Sequence, residues 1–378
     1  MNGPREGRTT GSCAAAAALA ALRATEGEAP SRDVQIPLPP FVDAAPTLLT
    51  VPVSSAERLD GAAPYNPSLG CPMARAVVIK DAGDDPDVTH GAPIVATIYA
   101  GGDPLSLKTN AGKLDDVYLH GGPGVGVVTK SGLPVPIGEA AINPVPREQI
   151  RRALRMASAS LSKLPPPIVV EISIPDGETL AKNTLNSRLG IVGGVSILGT
   201  YGIVRPYSAE AYKETIRRCL AAADPALPIV FSTGRRSEKA LTRSYPSLPL
   251  SAFVQAGDLA EFSLREAAKL NPPFVVWGGF FGKIVKLAQG LPDTRAGLGD
   301  LDLSWIADLA GIAGTPAARE IAAANTARQA LGILLASPVG RGTVREVLKL
   351  AKKRAEKWAG RKAIIHLFAE NGEEVDRL

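Results

Sequence analysis

The most unusual group of polar side chains lies at residues 80–91, where four carboxylates and a histidine follow an apolar run. The segment reads Lys-Asp-Ala-Gly-Asp-Asp-Pro-Asp-Val-Thr-His-Gly. Close carboxylates raise one another's pKa, so one of Asp84, Asp85, Asp87 and His90 can be poised to accept or donate a proton. A solvated acidic loop with Asx turns explains the same spacing, and both interpretations stay open. Neither EF-hand spacing nor its closing glutamate is present, which argues against calcium.

Three glycine-rich turns are further candidates for ligand contact. The run Gly-Gly-Pro-Gly-Val-Gly at 121–126 lacks the helix that follows a dinucleotide fingerprint, which leaves a ligand-contacting loop or a plain hairpin. The turn Gly-Gly-Phe-Phe-Gly-Lys at 278–283 opens a predicted helix, but Ile284 stands where a P-loop has Ser or Thr. Ser-Thr-Gly-Arg-Arg at 232–236 occupies the equivalent point of an earlier strand–helix unit. Either turn alone is usually chain reversal, but together they predict a ligand crevice, because open parallel sheets bind ligands beyond their strands' carboxyl ends.

Apolar runs and one alanine-rich segment define the elements that must position these residues in the first part of the chain. Ser12 is expected to cap an alanine helix that ends at about residue 24. Further elements are predicted as short strands within 34–53, strands at 74–80, 93–99, 117–119, 168–174 and 195–198, and a helix at 146–160.

The pattern changes near residue 205, where we place a domain boundary. Strands are predicted at 229–231, 251–255, 274–277 and 362–368, and helices after 234, at 258–270, at 283–289, within 302–337 and at 343–359. Short buried strands that alternate with helices predict a mostly parallel sheet. The glycines of 278–282 are expected to form a loop, and 343–359 to form an amphipathic surface helix.

Composition and charge exclude several classes of protein. The 378 residues are 45% hydrophobic and 21% charged, which excludes wholesale disorder, collagen and coiled coil and suits two domains. The net charge is +5, but residues 341–378 hold ten Lys/Arg against six Asp/Glu and so account for +4 of it. With the basic excess confined to one segment and only 5% aromatics, no nucleic-acid surface is expected.

The cysteines and histidines are too few and too scattered for a metal centre or a disulfide framework. Cys13, Cys71 and Cys219 are far apart, and three histidines are spread over the chain. We therefore expect no protein-bound metal and a reducing, cytoplasmic location. No apolar run reaches the roughly 20 residues of a membrane span, and the alanine-rich run 13–22 is not interpreted as a signal peptide.

Long stretches of this sequence resemble one family. They are Gly-Arg-Thr-Thr-Gly-Ser-Cys-Ala-Ala-Ala-Ala at 7–17, the segment 80–91, Gly-Gly-Pro-Gly-Val-Gly-Val-Val-Thr-Lys at 121–130, Pro-Ile-Gly-Glu-Ala-Ala-Ile-Asn-Pro-Val-Pro at 136–146, and Leu-Asn-Ser-Arg-Leu-Gly-Ile-Val-Gly-Gly-Val-Ser-Ile-Leu-Gly-Thr at 185–200. The sequence resembles the CbiD family, the cobalt-precorrin-5B C-1 methyltransferases of cobalamin biosynthesis.

The resemblance implies a fold and an activity. The fold is an α+β N-terminal domain, residues 1–205, plus a smaller α/β Rossmann-like domain with a mostly parallel sheet, residues 206–378. The activity is methyl transfer from S-adenosylmethionine to carbon 1 of cobalt-precorrin-5B, which gives cobalt-precorrin-6A. Cobalt then enters only as part of a small-molecule substrate, and a homo-oligomer is compatible with the sequence. A non-catalytic tetrapyrrole- or nucleotide-binding carrier of the same pathway is the alternative.

No established catalytic residues come with this resemblance, so the site residues are expectations. The proton-handling groups are expected among Asp84, Asp85, Asp87 and His90. The methyl donor is expected against Gly193, Gly194, Gly199 and Thr200, or against Thr233 and Gly234, and the substrate against Thr9, Thr10, Ser12, Lys80, Lys130 and Lys283.

The sequence departs from the family at two positions. Members often have histidines in Gly-His-x-Gly-Lys and Thr-His-Ser, where this chain has Phe280 and Arg295. Either these two positions are not catalytic, or this is a divergent member whose C-terminal domain works differently. We favour the first, because the segments between 80 and 205 match the family so well.

Overall fold

The computed structural model describes residues 4–27, 32–42, 46–59, 65–107, 110–206, 208–295, 302–311, 315–324 and 326–378. The fold is mixed α/β with several sheets, and the chain divides into two units, Met1–Ser208 and Ala209–Leu378. No helix in the described ranges is both long and apolar enough to cross a membrane.

In the first unit, short paired strands surround one large sheet. Its strands are Gly7–Arg8 (β1), Asp33–Pro37 (β2), Leu48–Pro52 (β3), Ser55–Arg58 (β4), Gly70–Ile79 (β5), Pro93–Gly101 (β6), Asn110–Leu114 (β7), Val117–Gly121 (β8), Gly124–Val125 (β9), Val127–Val128 (β10), Ile168–Ser173 (β11), Ile191–Val192 (β12), Gly194–Val195 (β13) and Ile203–Val204 (β14). Its α-helices are Thr10–Ala24 (α1), Pro144–Arg155 (α2), Ser158–Leu161 (α3), Gly177–Ala181 (α4) and Asn186–Leu189 (α5).

The large sheet has six strands in the order β4-β5-β6-β11-β8-β7. The pairs are antiparallel except β11 with β8, which is parallel. One face of the sheet packs on α1, and alternate residues such as Ile94, Ile98 and Val170 point into that core with no exposed surface.

Helix α1 is buried along nearly its whole length, with Arg23 the one partly exposed residue. Alanine has the highest helix propensity, and its small side chain lets the helix lie close to the sheet. The expected cap was wrong by three residues. Thr9, not Ser12, precedes the helix with extended backbone, and its hydroxyl accepts the N–H of Ser12 at 3.1 Å.

The strand predicted at 195–198 was mostly wrong, because only Gly194 and Val195 pair as a strand. The residues after Val195 hydrogen-bond instead to other parts of the first unit. The N–H groups of Ile197 and Leu198 donate to the Ala141 carbonyl and the Thr10 hydroxyl, each at 2.9 Å. A local apolar run cannot reveal these partners, since they lie elsewhere in the chain.

The second unit is built on a five-stranded sheet. Its strands are Ile229–Ser232 (β15), Phe253–Gln255 (β16), Val275–Phe280 (β17), Ala363–Phe368 (β18) and Glu374–Arg377 (β19). Its α-helices are Ala209–Ala221 (α6), Arg235–Ser244 (α7), Ala260–Leu270 (α8), Phe281–Gln289 (α9), Ser304–Leu309 (α10), Pro316–Ala322 (α11), Ala327–Ala336 (α12) and Gly340–Ala359 (α13).

The sheet order is β16-β15-β17-β18-β19, which is 2-1-3-4-5 in chain order. The first four strands are parallel and β19 is antiparallel to β18. Helix α7 packs on β15 and β17 through Ala240 and Leu241, whereas α9 and α13 contact β18. The amphipathic prediction for α13 is confirmed, since Val347, Ala351 and Trp358 are all buried.

Two predictions in this unit were wrong. Gly278 and Gly279 are not loop residues but belong to β17, where their backbones pair with His366 and Leu367 of β18. The lack of side chains at these positions suggested a turn, but a Cβ on Gly278 would collide with Leu241, so glycine serves helix–sheet packing there. Strand β19 also follows β18, which was predicted to be the last strand.

Candidate functional site

The acidic loop that follows β5 is held by cations of its own unit. The Arg5 guanidinium donates to both carboxylate oxygens of Asp81, at 2.5 and 3.0 Å. These hydrogen bonds, with one from the Gly83 N–H, lower the pKa of Asp81 to about 2. Asp84 accepts the backbone N–H of Arg5 at 2.7 Å, which ties the loop to the segment before α1.

Asp87 is the counter-ion of a buried lysine. The Lys80 side chain is 1% exposed, and its Nζ lies 2.6 Å from Asp87 Oδ2. The other carboxylate oxygen accepts the Thr89 N–H at 2.8 Å and the Thr89 hydroxyl at 2.7 Å. Burial raises the pKa of Asp87, but the charge of Lys80 and the hydrogen bonds from Lys80 and Thr89 lower it overall.

The expectation of carboxylates with raised pKa in this loop is therefore wrong for Asp81 and Asp87. Each lies against a cation and several donors, and these interactions outweigh the effect of burial, which raises the pKa. The structure does bring the candidates together, since the His90 ring nitrogen Nδ1 accepts the Ala82 N–H at 3.1 Å and Asp85 hydrogen-bonds through its backbone carbonyl to Asp87. His90 is exposed, and the other contacts organise the turn.

The hydroxyls of Thr9, Thr10 and Ser12 are engaged within the protein at the buried start of α1. Ser12 donates to the Gly202 carbonyl at 2.6 Å, and Thr10 donates to the Leu198 carbonyl at 3.1 Å. These contacts fasten the loop after β13 to the helix. All three residues are buried, so the geometry favours a structural role over direct substrate contact.

The glycines expected to contact a donor in the first unit differ in their surroundings. A Cβ on Gly194 would collide with the backbone of Gly124, and one on Gly199 with the side chain of Thr9. Both glycines therefore serve close packing inside the unit. Gly193 and Thr200 are exposed, and a Cβ on Gly193 would meet nothing within 4 Å.

Of the remaining lysines, Lys130 is exposed and its aliphatic stem lies over Gly190. Lys283 of α9 forms an ion pair with Asp258 and donates to the Thr294 carbonyl at 2.9 Å. The Thr294 hydroxyl donates to the same Asp258 carboxylate at 2.9 Å. The lysine thus joins the segments that follow β16 and β17, at the carboxyl edge of the parallel strands.

Thr233 and Gly234 lie at the point of this edge where the strand order reverses. The chain leaves β15 toward β16 on one side and leaves β17 toward β18 on the other, which opens a crevice between the two strand ends. A Cβ on Gly234 would meet nothing within 4 Å. Ser232, which ends β15, is 1% exposed, and its Oγ is a buried polar atom with no hydrogen-bond partner in the described structure.

The two positions that depart from the family pattern also lie at this edge. Phe280 ends β17, and the Arg236 guanidinium lies 4.9 Å from the centre of its ring. Arg295 forms an ion pair with Asp293 at 2.6 Å and is exposed. Both side chains thus make contacts within the second unit.

A second set of polar residues, missed in the sequence, crosses the other face of the six-stranded sheet. Directly paired positions in neighbouring strands are Arg75 with Thr97, Thr97 with Glu171, and Glu171 with His120. Paired residues point to the same face, so these four form one row, which we call the cross-strand row. Tyr99, two residues from Thr97, donates its hydroxyl to Glu171 Oε1 at 3.5 Å.

The row contains a carboxylate with a perturbed pKa. Burial raises the pKa of Glu171, against the opposing effects of the Tyr99 hydrogen bond and the Arg75 charge. Burial and the nearby Glu171 charge raise the pKa of Tyr99 to about 12. The one signal in the sequence was a single glutamate inside the apolar strand 168–174, since its partners come from distant segments.

Among the described residues, no group of three or more His, Cys, Asp or Glu side chains is arranged to hold a metal ion. In the acidic loop, the carboxylates of Asp81 and Asp87 are directed at Arg5 and Lys80.

Fold and sites together define a two-unit mixed α/β protein with polar groups at a sheet edge and across a sheet face. The chain belongs to the CbiD family. The family model described as CbiD matches residues 1–206, and the model described as CbiD, C-terminal domain matches residues 293–377. The family identified from the sequence is thereby confirmed.

The curated relatives carry one name. A "Cobalt-precorrin-5B C(1)-methyltransferase" from Nitratidesulfovibrio vulgaris is 44% identical over 379 residues, which cover 98% of this chain and 92% of the relative. Another of that name, from Geobacillus kaustophilus, is 43% identical over 86% of this chain and 81% of the relative. A solved cobalamin biosynthesis protein (cbiD) from Archaeoglobus fulgidus is 28% identical, covering 76% of this chain and 80% of that one, with a TM-score of 0.38.

Proposed function

We propose that this chain transfers a methyl group from S-adenosylmethionine to carbon 1 of cobalt-precorrin-5B, giving cobalt-precorrin-6A in cobalamin biosynthesis. The observation that carries the proposal is the 44% identity, across 98% of this chain, to a relative named for this reaction. Cobalt belongs to the substrate. The three free cysteines suit a reducing cytoplasm as the place of the reaction.

The chemistry makes modest demands on the protein. The sulfonium supplies an activated methyl group, and the carbon–sulfur bond breaks with its electron pair kept by sulfur while the new bond forms to carbon 1. Alignment of the two carbons and exclusion of water can supply most of the rate effect. If the ring is to keep its charge after gaining a methyl cation equivalent, a proton must leave it, and a base must accept that proton.

We place the methyl donor in the second unit, Ala209–Leu378, as the Rossmann-like domain predicted for residues 206–378. The sheet order 2-1-3-4-5 supports this, because open sheets of this order bind ligands where the strand order reverses. Thr233 and Gly234 lie at that point, with open space beside Gly234. The orphaned Ser232 hydroxyl is the buried polar group there that a ligand would satisfy. Gly194 and Gly199 are less suited, since both serve internal packing.

We place the corrin precursor in the first unit, Met1–Ser208, which corresponds to the α+β domain predicted for residues 1–205. The acidic loop organises this unit through Arg5–Asp81 and Lys80–Asp87. We retain Asp84, Asp85 and His90 as candidates for contact with the precursor, because Asp84 and His90 are exposed and Asp85 is partly exposed.

One assay tests the reaction. The full chain is incubated with methyl-labelled S-adenosylmethionine and cobalt-precorrin-5B, and the product is analysed for label and mass. We expect one methyl group on carbon 1, together with S-adenosylhomocysteine. Binding of the precursor without transfer would instead support the carrier alternative, and transfer to another carbon would overturn the assignment of position.

The donor placement is tested with a matched pair of glycine variants. Gly234→Leu puts a side chain into the open space at the proposed donor site. Gly360→Leu does the same at another positive-φ glycine with open space, which precedes β18 and so lies at the opposite edge of the sheet. We expect calorimetry with S-adenosylhomocysteine to show at least a tenfold loss of affinity for Gly234→Leu and little change for Gly360→Leu.

A third variant addresses the rival placement in the first unit. Gly193→Leu also introduces a side chain into open space, at a glycine with φ of +79°. Loss of affinity in Gly193→Leu with unchanged affinity in Gly234→Leu would move the donor to the glycine loops of the first unit.

A further inference from the structure

The cross-strand row is unusual for a sheet face that lies opposite the core. The face on α1 is apolar, as expected for a sheet packed on one side. An ordinary solvated face would carry exposed charges on the other side. Here the Glu171 and His120 side chains are only 13% and 11% exposed, and Thr97 is 2% exposed. The centre of the row is therefore largely withdrawn from water.

We propose that Glu171 is the base that accepts the proton lost by the corrin precursor during methyl transfer, with Tyr99 and His120 as positioning residues. The inference deepens the proposed function and rests on it. It assigns the substrate face of the first unit to the side of the six-stranded sheet opposite α1.

The contacts of Glu171 leave its carboxylate able to change protonation state. Tyr99 is 3.5 Å from Oε1, and His120 Nε2 is 3.7 Å from Oε2, so neither makes the short ion pair seen for the loop aspartates. Arg75, two strands away in the row, is exposed, and its charge acts to lower the pKa of Glu171. The charged or titratable groups around Glu171 are thus Arg75 on β5, Tyr99 on β6 and His120 on β8.

The Glu171 carboxylate lies against a glycine. A Cβ on Gly122 would come within 2.6 Å of the Glu171 carboxyl carbon and 3.0 Å of Oε1. Any larger residue after β8 would press on the carboxylate. The glycine therefore lets Glu171 hold its position against the backbone that follows β8.

The residues of the row suit two features of the substrate, its carboxylate side chains and the proton that leaves its ring. Corrin precursors carry carboxylate side chains around the ring, and the exposed Arg75 guanidinium can bind one of them. The ring carbon and its proton would then lie over the middle of the row. Burial raises the pKa of Glu171, which makes its carboxylate a stronger base than one in water.

The carbon–sulfur bond breaks and its electron pair stays on sulfur, while carbon 1 forms the new carbon–carbon bond with electrons of the ring system. The conjugated ring then releases one proton to a Glu171 oxygen, which leaves the glutamic acid neutral. That proton passes to water when the product leaves.

The test is Glu171→Gln in the full chain, which removes the base while keeping shape and hydrogen-bonding groups. We expect kcat for labelled methyl transfer to fall by about 10²-fold or more, with little change in the dissociation constant of either substrate. Glu178→Gln, an exposed glutamate on α4, is the matched control and should retain kcat within about twofold. Circular dichroism and melting temperature check that each variant is folded.

Two further measurements separate a base from a structural role. Glu171→Asp should recover part of the lost kcat, because it restores a carboxylate. The kcat of the wild type should fall as the pH is lowered, which is the acid limb of its pH profile. This acid limb should disappear in Glu171→Gln and shift in His120→Gln. If the wild type is active and Glu171→Gln has an unchanged kcat, the role of Glu171 is overturned while the proposed function stands. The same conclusion follows if Glu171→Asp recovers no kcat and Glu171→Gln does not change the acid limb of the pH profile. A wild type that transfers no methyl group overturns the proposed function and this inference together.

Discussion

The acidic loop and the cross-strand row both contain carboxylates, but the pKa of these groups is lowered in the loop and raised in the row. In the loop, Asp81 and Asp87 each face a cation at 2.5–2.6 Å, and both have a lowered pKa. In the row, Glu171 has a tyrosine and a histidine at 3.5–3.7 Å, and its pKa is raised. A carboxylate in close contact with a cation stays ionised and serves the structure. A buried carboxylate whose partners are more distant can instead accept a proton.

The number of carboxylates was therefore a poor guide to chemistry in this protein. Four aspartates within one turn-rich segment suggested proton transfer, but the cations that neutralise two of them come from Arg5 and Lys80. The single glutamate inside a strand was unremarked in the sequence, and its surroundings make it the better candidate base. The contrast can be tested by measuring what each group contributes to stability.

The largest effect is expected for Lys80→Met, which leaves the half-buried Asp87 carboxylate without its cation. The free energy of unfolding should fall by about 3 kcal/mol, as for other buried pairs that lose one partner. Urea unfolding at pH 7 measures it. Lys130→Met, at an exposed lysine, should change the value by less than about 0.5 kcal/mol.

The double variant Lys80→Met/Asp87→Asn completes the cycle. It should be more stable than Lys80→Met alone, because no uncompensated charge remains. Additive losses in the double variant would contradict a coupled pair.

A smaller effect of the opposite sign is expected for Glu171→Gln. A raised pKa in the folded protein means that folding disfavours the ionised carboxylate, so this group weakens stability above its folded pKa. The variant should therefore be more stable than the wild type at pH 8, and the gain should shrink as the pH falls toward 4.5. Urea unfolding at pH 8 and pH 5 tests this, and a variant less stable at pH 8 would contradict it.

The smallest effect is expected for Asp81→Asn. A lowered pKa of about 2 means that the ionised form is favoured in the fold, so its contribution is present above about pH 4 and is lost as the pH falls toward 2. Because the Asp81 side chain is 31% exposed, the loss at pH 7 should be below about 1 kcal/mol. Urea unfolding of Asp81→Asn and of the wild type, repeated as the pH is lowered from 7 toward 2, measures this loss. Asp116→Asn, at an exposed aspartate, serves as the control.

Local patterns in the sequence were enough to predict most strands and helices, because apolar runs such as 74–80 and 168–174 lie in strands of the structure. They could not locate contacts between distant segments. The cap of α1 depends on the geometry of the Thr9 backbone, and the pairing of Gly278 in β17 depends on a strand 88 residues further on.

The candidate site was predictable only in part for the same reason. The turn at Thr233 and Gly234 followed from the alternation of strands and helices, which fixes the carboxyl edge of a parallel sheet. The cross-strand row depends on register, since Tyr99 and Glu171 are 72 positions apart. Nothing in a single sequence states which residues of two strands are paired.

Helix α1 has a consequence for the synthesis of this protein. It is almost wholly buried, yet the strands that cover it extend to Ser173, so about 150 residues are made after the helix before its sheet is complete. At about 5–20 residues per second, an apolar helix waits roughly 8–30 s for its partners on the ribosome. Alanine makes that delay tolerable, because it forms helix readily while offering little apolar area to aggregation or to chaperones.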